Sequence, residues 1–158
     1  MKSHVPLLAA ALAVLLPLAQ PRQARAEHLG VSSRKANVRQ GPGTGRPVLW
    51  QAWRLTPFLV LDWVGDWAKV RDYEGDDGWV HGSLLSDVPT VIVTAKNAAV
   101  RGGPGAGYKG LWTLEEGYTL KVLSVDGVWL KVTDDDEVLG WVLRRSVWGR
   151  AEVDEGST

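Results

Sequence analysis

Short apolar runs rich in valine, leucine and tryptophan recur along the chain at intervals of about ten residues, separated by glycine and aspartate. In the C-terminal half they are Ala98 to Arg101, Tyr108 to Leu114, Tyr118 to Val125, Val128 to Thr133 and Leu139 to Leu143. Apolar runs this short, bounded by turn formers, read as β-strands. No segment repeats apolar residues with the helical period over the length a globular helix needs. Asp126-Gly127, between two runs, signals a hairpin because glycine tolerates positive φ, and Gly65-Asp66 holds the matching place earlier. Five short strands predict a small barrel closed on itself, which removes most sheet edges.

Alternation sorts the side chains, since successive residues of a strand face opposite ways. Leu130 and Val132 share one face of their run, Trp129 and Lys131 the other. Lysine belongs to water, so Leu130 and Val132 are expected inside and Trp129 outside. By the same logic Ala68, Val70, Val80 and Val142 are core, while Trp67, Trp79 and Trp141 lean outward.

The pattern is written twice. Displacing the chain by 62 residues superimposes 36–86 on 98–148 without an insertion, with 19 identities in 51 positions. Val38-Arg39 falls on Val100-Arg101, Gly41-Pro42-Gly43 on Gly103-Pro104-Gly105, and Gly78-Trp79-Val80 on Gly140-Trp141-Val142. Such matches keep glycine, tryptophan and proline in one register, which shared composition does not produce; the chain is a duplication. Units of this size bury only about 60% of their unfolded surface and fold marginally alone. The joint, Ser86 to Pro89, is too short for a free tether, so a fixed or weakly hinged pair is expected.

The first 26 residues are different in kind. Lys2 precedes an apolar stretch from Val5 to Ala19, and Ala24-Arg25-Ala26 offers a small-x-small cleavage pattern. The stretch falls short of the roughly 20 residues that span a bilayer. The expected organisation is a signal peptide over 1–26, barrels over 28–87 and 90–149, and a flexible tail over 150–158. The protein is then exported, periplasmic or secreted, with no membrane span in the mature chain.

Charge narrows the partners. Beyond residue 26 the chain has 15 basic and 18 acidic residues, balanced within each half. Nucleic-acid binding needs a basic field to displace counterions, and none is visible. There is no cysteine, so disulfides, a thiol nucleophile and a lipid-modified cysteine are excluded.

The Asn-Val-Arg-x-Gly-Pro-Gly start at Asn37 to Gly43, the Gly-x-Trp-x-Lys-Val hairpin at Gly65 to Val70 and the closing Gly78-Trp79-Val80 resemble the bacterial SH3-like (SH3b) domain family. All recur in the second unit except Asn37, which becomes Ala99. The stretch Gly78 to Ser86 is similar to secreted proteobacterial members with tandem domains. The resemblance covers 28 to about 149 and implies an all-β fold of two tandem small SH3-like barrels. It also implies a place in the cell envelope as a binding module for cell-wall peptide or a protein segment.

Other motifs have structural readings. Gly41 to Gly45 lacks the Gly-Lys-Ser/Thr and the helix of a phosphate loop, and reads as a turn. His81 near Ser83 lacks a counterpart in the second unit, where Leu143 and Arg145 stand, so no catalytic residues are assigned. Asp134 to Glu137 lacks the spacing of a calcium loop and reads as a solvated hairpin tip, so no metal or other cofactor is expected. Arg144-Arg145 reads as an ordinary surface pair.

The nine tryptophans are the informative feature, since a barrel this small cannot bury them all. Trp50 and Trp112 occupy equivalent positions and read as structural. Trp63, Trp67, Trp79 and Tyr73 in the first unit, with Trp129 and Trp141 in the second, are the candidate ligand-binding residues; an indole gives a rigid apolar face and one N–H donor. The first unit is the stronger candidate, because Trp53, Trp63 and Tyr73 become Glu115, Val125 and Asp135 in the second. The expected activity is non-enzymatic binding of wall peptide or a protein segment through an outer aromatic groove. Two rivals are an assembly protein dedicated to one envelope protein and an accessory to a wall hydrolase.

Overall fold

A computed structural model describes residues 27–153; the expected signal peptide and residues 154–158 lie outside the described residues. The first module comprises β1 (Glu27–Val31), β2 (Lys35–Arg39), β3 (Val48–Trp53), β4 (Pro57–Val64), β5 (Trp67–Arg71), β6 (Asp77–His81) and β7 (Leu85–Ser86). The second comprises β8 (Thr90–Val93), β9 (Asn97–Arg101), β10 (Gly110–Glu115), β11 (Thr119–Asp126), β12 (Trp129–Thr133), β13 (Val138–Leu143) and β14 (Val147–Gly149). A 3₁₀ turn precedes the last strand of each, at Gly82–Leu84 and Arg144–Ser146. No helix among the described residues is long and apolar enough to cross a membrane.

The two modules share one topology, an antiparallel seven-stranded sheet ordered β3-β2-β6-β5-β4-β1-β7 and β10-β9-β13-β12-β11-β8-β14. The fold is all-β, two tandem small β modules. Ladder pairing leaves β3 and β7 (β10 and β14) as sheet ends, so closure is less complete than the strand pattern predicts. The five-run reading misses β1, β7, β8 and β14, which are short and lie near the joint. The hairpin loops are Gly65-Asp66 and Gly127-Val128, one residue later in the second unit than Asp126-Gly127 suggests. Only their glycines have positive φ, 56° and 57°, as a turn with glycine in first place requires.

The inward set is the expected one. Ala68, Val70, Val80, Leu130, Val132 and Val142 are all fully buried. The two cores fill their volume differently. Ala52, Phe58 and Ala68 stand where the second module has Leu114, Leu120 and Leu130, and in the first the half-buried Trp50 packs onto the core. Its counterpart Trp112 is 51% exposed, so the structural reading holds for Trp50 and fails for Trp112, whose packing volume the leucines supply.

The modules touch closely. A methyl added at Gly30 would sit 2.5 Å from Thr90 Oγ1, and one at Gly149 would sit 3.0 Å from Pro57 Cβ. His28 of β1 meets Trp148 of β14 edge to face, with ring centroids 5.1 Å apart. The residues expected in a flexible tail join this packing at least to 152: Arg150 donates to the carbonyls of Thr90 and Asp87, Ala151 is buried in the second core, and Glu152 pairs with Arg144 at 3.2 Å.

Burial holds His28 below the ordinary 6.5, opposed by Glu152 and reinforced by Arg150. With the folded value depressed, the unfolded chain takes up the proton first as pH falls below 6.5. Stability present above that value is therefore lost as pH drops through the folded value. Asp134, Asp77 and Glu152 are also held below their ordinary values, so what they contribute is lost only at more acidic pH. The melting temperature is expected to be lower at pH 5.5 than at pH 7.5, with a smaller difference in His28→Asn. An equal difference in both proteins refutes the assignment.

Candidate functional site

The six aromatic candidates do not share one surface. Trp67 and Trp79 stand on the outer face of the first sheet, where Trp67 pairs across to His81 and Trp79 to Lys69 and Arg39. Trp129 and Trp141 repeat this in the second, opposite Leu143, Lys131 and Arg101. All four rings are half-buried rather than fully displayed. Trp63 faces the other way. A bulge at Leu61, between the Val60–Val70 and Asp62–Lys69 pairs, reverses the alternation and sets Trp63 opposite Ala68. Its ring extends past the core and lies against Gly82, where an added Cβ would come within 2.9 Å.

Tyr73 belongs elsewhere, in the β5–β6 loop at the junction of the modules. There it lines a cavity of about 590 Å³ with Trp50 and Trp53 of β3 and with Tyr118, just before β11. Ala52, Leu55, Phe58 and Ile92 complete the apolar lining, and Asp72, Glu74, Asp134 and Asp136 add carboxylates. Trp53 is 60% exposed, far more than a core indole. The sequence signal for Trp53 and Tyr73 is their departure from the repeat. Tyr118 departs from the repeat too, replacing Thr56, but the carboxylates carry no comparable signal, since their role exists only where two modules meet.

Local hydrogen bonds shape the two acidic loops. The Asp72 carboxylate accepts the backbone N–H groups of Glu74 and Asp76 at 3.0 and 2.9 Å. Asp134 accepts those of Asp136 and Glu137 at 3.1 and 3.0 Å, and the Tyr118 hydroxyl at 3.2 Å. The backbone N–H of Glu137 is the chief cause of Asp134's lowered pKa. The run at 134–137 is therefore built into the junction rather than merely solvated. Asp72, Glu74 and Asp76 bring ligand atoms within 4.8 Å of one another, but the Asp72 carboxylate is already engaged by two backbone N–H groups of the same turn.

Arg54 stitches the modules together. Its Nε donates to Asp135 Oδ2 at 2.6 Å, its Nη1 donates to the Ser32 carbonyl, and its own carbonyl accepts the Thr119 hydroxyl at 3.1 Å. The ion pair is partly exposed, so its value is positional more than energetic. Among the described residues, the non-glycine residues with positive φ are Leu55 (66°) and Asp135 (81°). Both lie at this junction, next to and paired with Arg54. Strained backbone of this kind is concentrated at functional sites.

His81 and Ser83 form a local cap. The Ser83 hydroxyl lies 2.7 Å from His81 Nδ1, which also accepts the Ser83 N–H, and the His81 ring meets Trp67 edge to face at 5.2 Å.

A family model for the bacterial SH3 domain matches the chain twice, over residues 32–87 and 94–149. The chain belongs to the bacterial SH3 domain family. Its tandem SH3 domains are 25% identical over 123 residues to "Putative N-acetylmuramoyl-L-alanine amidase YrvJ" of Bacillus subtilis (strain 168), a match covering 71% of this chain and 24% of that protein. The chain thus spans about a quarter of the length of this relative. Among solved structures it is similar to an NlpC/P60 family protein from Bacillus cereus ATCC 10987, at 18% identity, 79% of this chain, 57% of that one and a TM-score of 0.38. NlpC1 from Trichomonas vaginalis gives 12% identity, 93% and 54% coverage and a TM-score of 0.37.

In both SH3 domains the repeated motif residues hold the barrel together. Arg39 donates to the Arg46 carbonyl at 2.8 Å and Arg101 to that of Tyr108 at 2.9 Å, pinning the Gly-Pro-Gly loop. Gly78 and Gly140 lie directly against Val38 and Val100, with no room for a Cβ. The Val-Arg and Gly-Trp-Val motifs of the SH3 domains are thus two sides of one contact.

Proposed function

We propose that this protein is an exported, non-enzymatic module of the cell envelope that holds a wall-derived peptide, or a protein segment, in the groove between its two SH3 domains. The observation that carries this reading is the groove itself: exposed Trp53 and half-buried Tyr73 of one domain line an open cavity together with exposed Tyr118 of the other. Rigid aromatic side chains give large contact area at low entropic cost, which suits an extended peptide. The relative named as an N-acetylmuramoyl-L-alanine amidase supports a wall-associated ligand. Export is supported by the signal-like N-terminus.

Sedimentation with purified sacculi tests the proposal. The protein is expected to pellet with them, and Trp53→Ala or Tyr73→Ala to weaken retention by about tenfold, as loss of a buried aromatic anchor does. Failure to pellet with sacculi or envelope material, or variants that bind as well as the parent, refutes it.

The exposed sheet ends favour a second reading. Leu49 in β3 and Leu111 and Trp112 in β10 are about half exposed on strands with a free edge, the setting in which a partner adds a strand. An assembly protein dedicated to one envelope partner would use these edges. In-cell crosslinking distinguishes the two: one discrete adduct and no sacculus binding select the assembly role.

A further inference from the structure

The groove combines an aromatic lining with an excess of negative charge. Asp72, Glu74, Asp134 and Asp136 line it against a single guanidinium, that of Arg54, which is already engaged by Asp135 and the Ser32 carbonyl. An anionic ligand would find no uncommitted cation in the lining. A hard metal ion would gain nothing from the indole and phenol rings. A neutral sugar would use the rings and leave the carboxylates unanswered. An organic ammonium uses both, because aromatic faces and carboxylates attract it together. The structure holds an internal precedent: the Lys35 ammonium lies 5.3 Å from the centre of the Trp53 ring.

We propose that the inter-domain groove selects a peptide carrying a free side-chain amine, a wall peptide with a diamino acid, by seating its ammonium against the groove's aromatic lining among the carboxylates of Glu74 and Asp136. The local field agrees in sign. Burial chiefly raises the pKa of Tyr73, and Glu74, Glu116 and Asp72 raise it further; Tyr118 is raised by burial and then by Asp134. Glu74 and Asp136 are exposed, and they are the lining carboxylates free of the turn-closing role that Asp72 and Asp134 perform. The charge selectivity rests on the groove reading above, and only the origin of the peptide depends on the wall.

The test uses the full protein and two end-blocked peptides, Ala-Ala-Lys-Ala-Ala and its Nε-acetyl-lysine counterpart, followed by tryptophan fluorescence and by amide shifts. Acetylation removes the charge and little else. The lysine peptide is expected to bind at least tenfold more tightly than the acetylated one, with an affinity that falls as salt rises. The double variant Glu74→Gln/Asp136→Asn is expected to lose that preference while keeping its far-UV spectrum. Trp112→Ala, outside the groove, is expected to keep it. Equal binding of the two peptides, or no binding of the lysine peptide at millimolar concentration, overturns the proposal. Sedimentation with sacculi separates the two claims: pelleting without amine preference removes this inference alone, and amine preference without pelleting removes the wall as the source.

Discussion

Phe58→Ala is expected to destabilise the protein by about 3–5 kcal/mol, enough to leave the first domain largely unfolded at room temperature. Phe58 is fully buried and heads the largest buried side chains. Its neighbours in that core are small, with Ala36, Ala52 and Ala68 among them, so they cannot close the cavity by repacking. The equivalent Leu120→Ala in the second core, which holds Leu114, Leu130 and Leu139, is expected to cost less, about 2–3 kcal/mol. Urea titration followed by tryptophan fluorescence reads both. A loss below about 1 kcal/mol for Phe58→Ala would show that the first core repacks freely. Phe58 also lines the groove, so the variant is expected to lose sacculus binding along with stability.

Gly140→Ala is the second large effect, at about 2–5 kcal/mol, from two additive causes. Gly140 has φ +131°, a conformation that side chains rarely adopt. An added Cβ would also sit 2.5 Å from the Arg101 carbonyl oxygen and 3.0 Å from Val100 Cγ1, both on β9, which pairs with β13 at Trp141–Arg101. Gly127 provides the control. Its φ is +57° but nothing lies within 4 Å of its would-be Cβ, so Gly127→Ala is expected to cost only about 1–2 kcal/mol. Equal shifts of melting temperature in the two variants would show that conformation alone, and not contact with β9, requires glycine in the Gly-Trp-Val motif.

Much of the architecture was legible along the chain because its determinants are local. Leu130 and Val132 flanking Lys131, and Ala68 and Val70 flanking Lys69, mark the inside of the sheet through side-chain alternation alone. Trp63 escapes that logic. The bulge at Leu61 shifts the pairing by one residue, and its repetition at Leu123 shows a shared backbone feature with no sequence signature in a single strand. Trp112 escapes as well, because whether an indole at that place is covered depends on what fills the opposite side of the barrel.

The strand pattern, the duplication, the buried valines and the lack of cysteine follow from residue type, spacing and composition alone. Where a ligand could sit depends on contacts that exist in the folded molecule alone. Tyr73 and Tyr118 are 45 positions apart and belong to different repeats; they meet because Gly30 admits Thr90 and Arg54 reaches Asp135. Contacts between two folded surfaces depend on shape and charge assembled from distant segments, and no period within either segment encodes them.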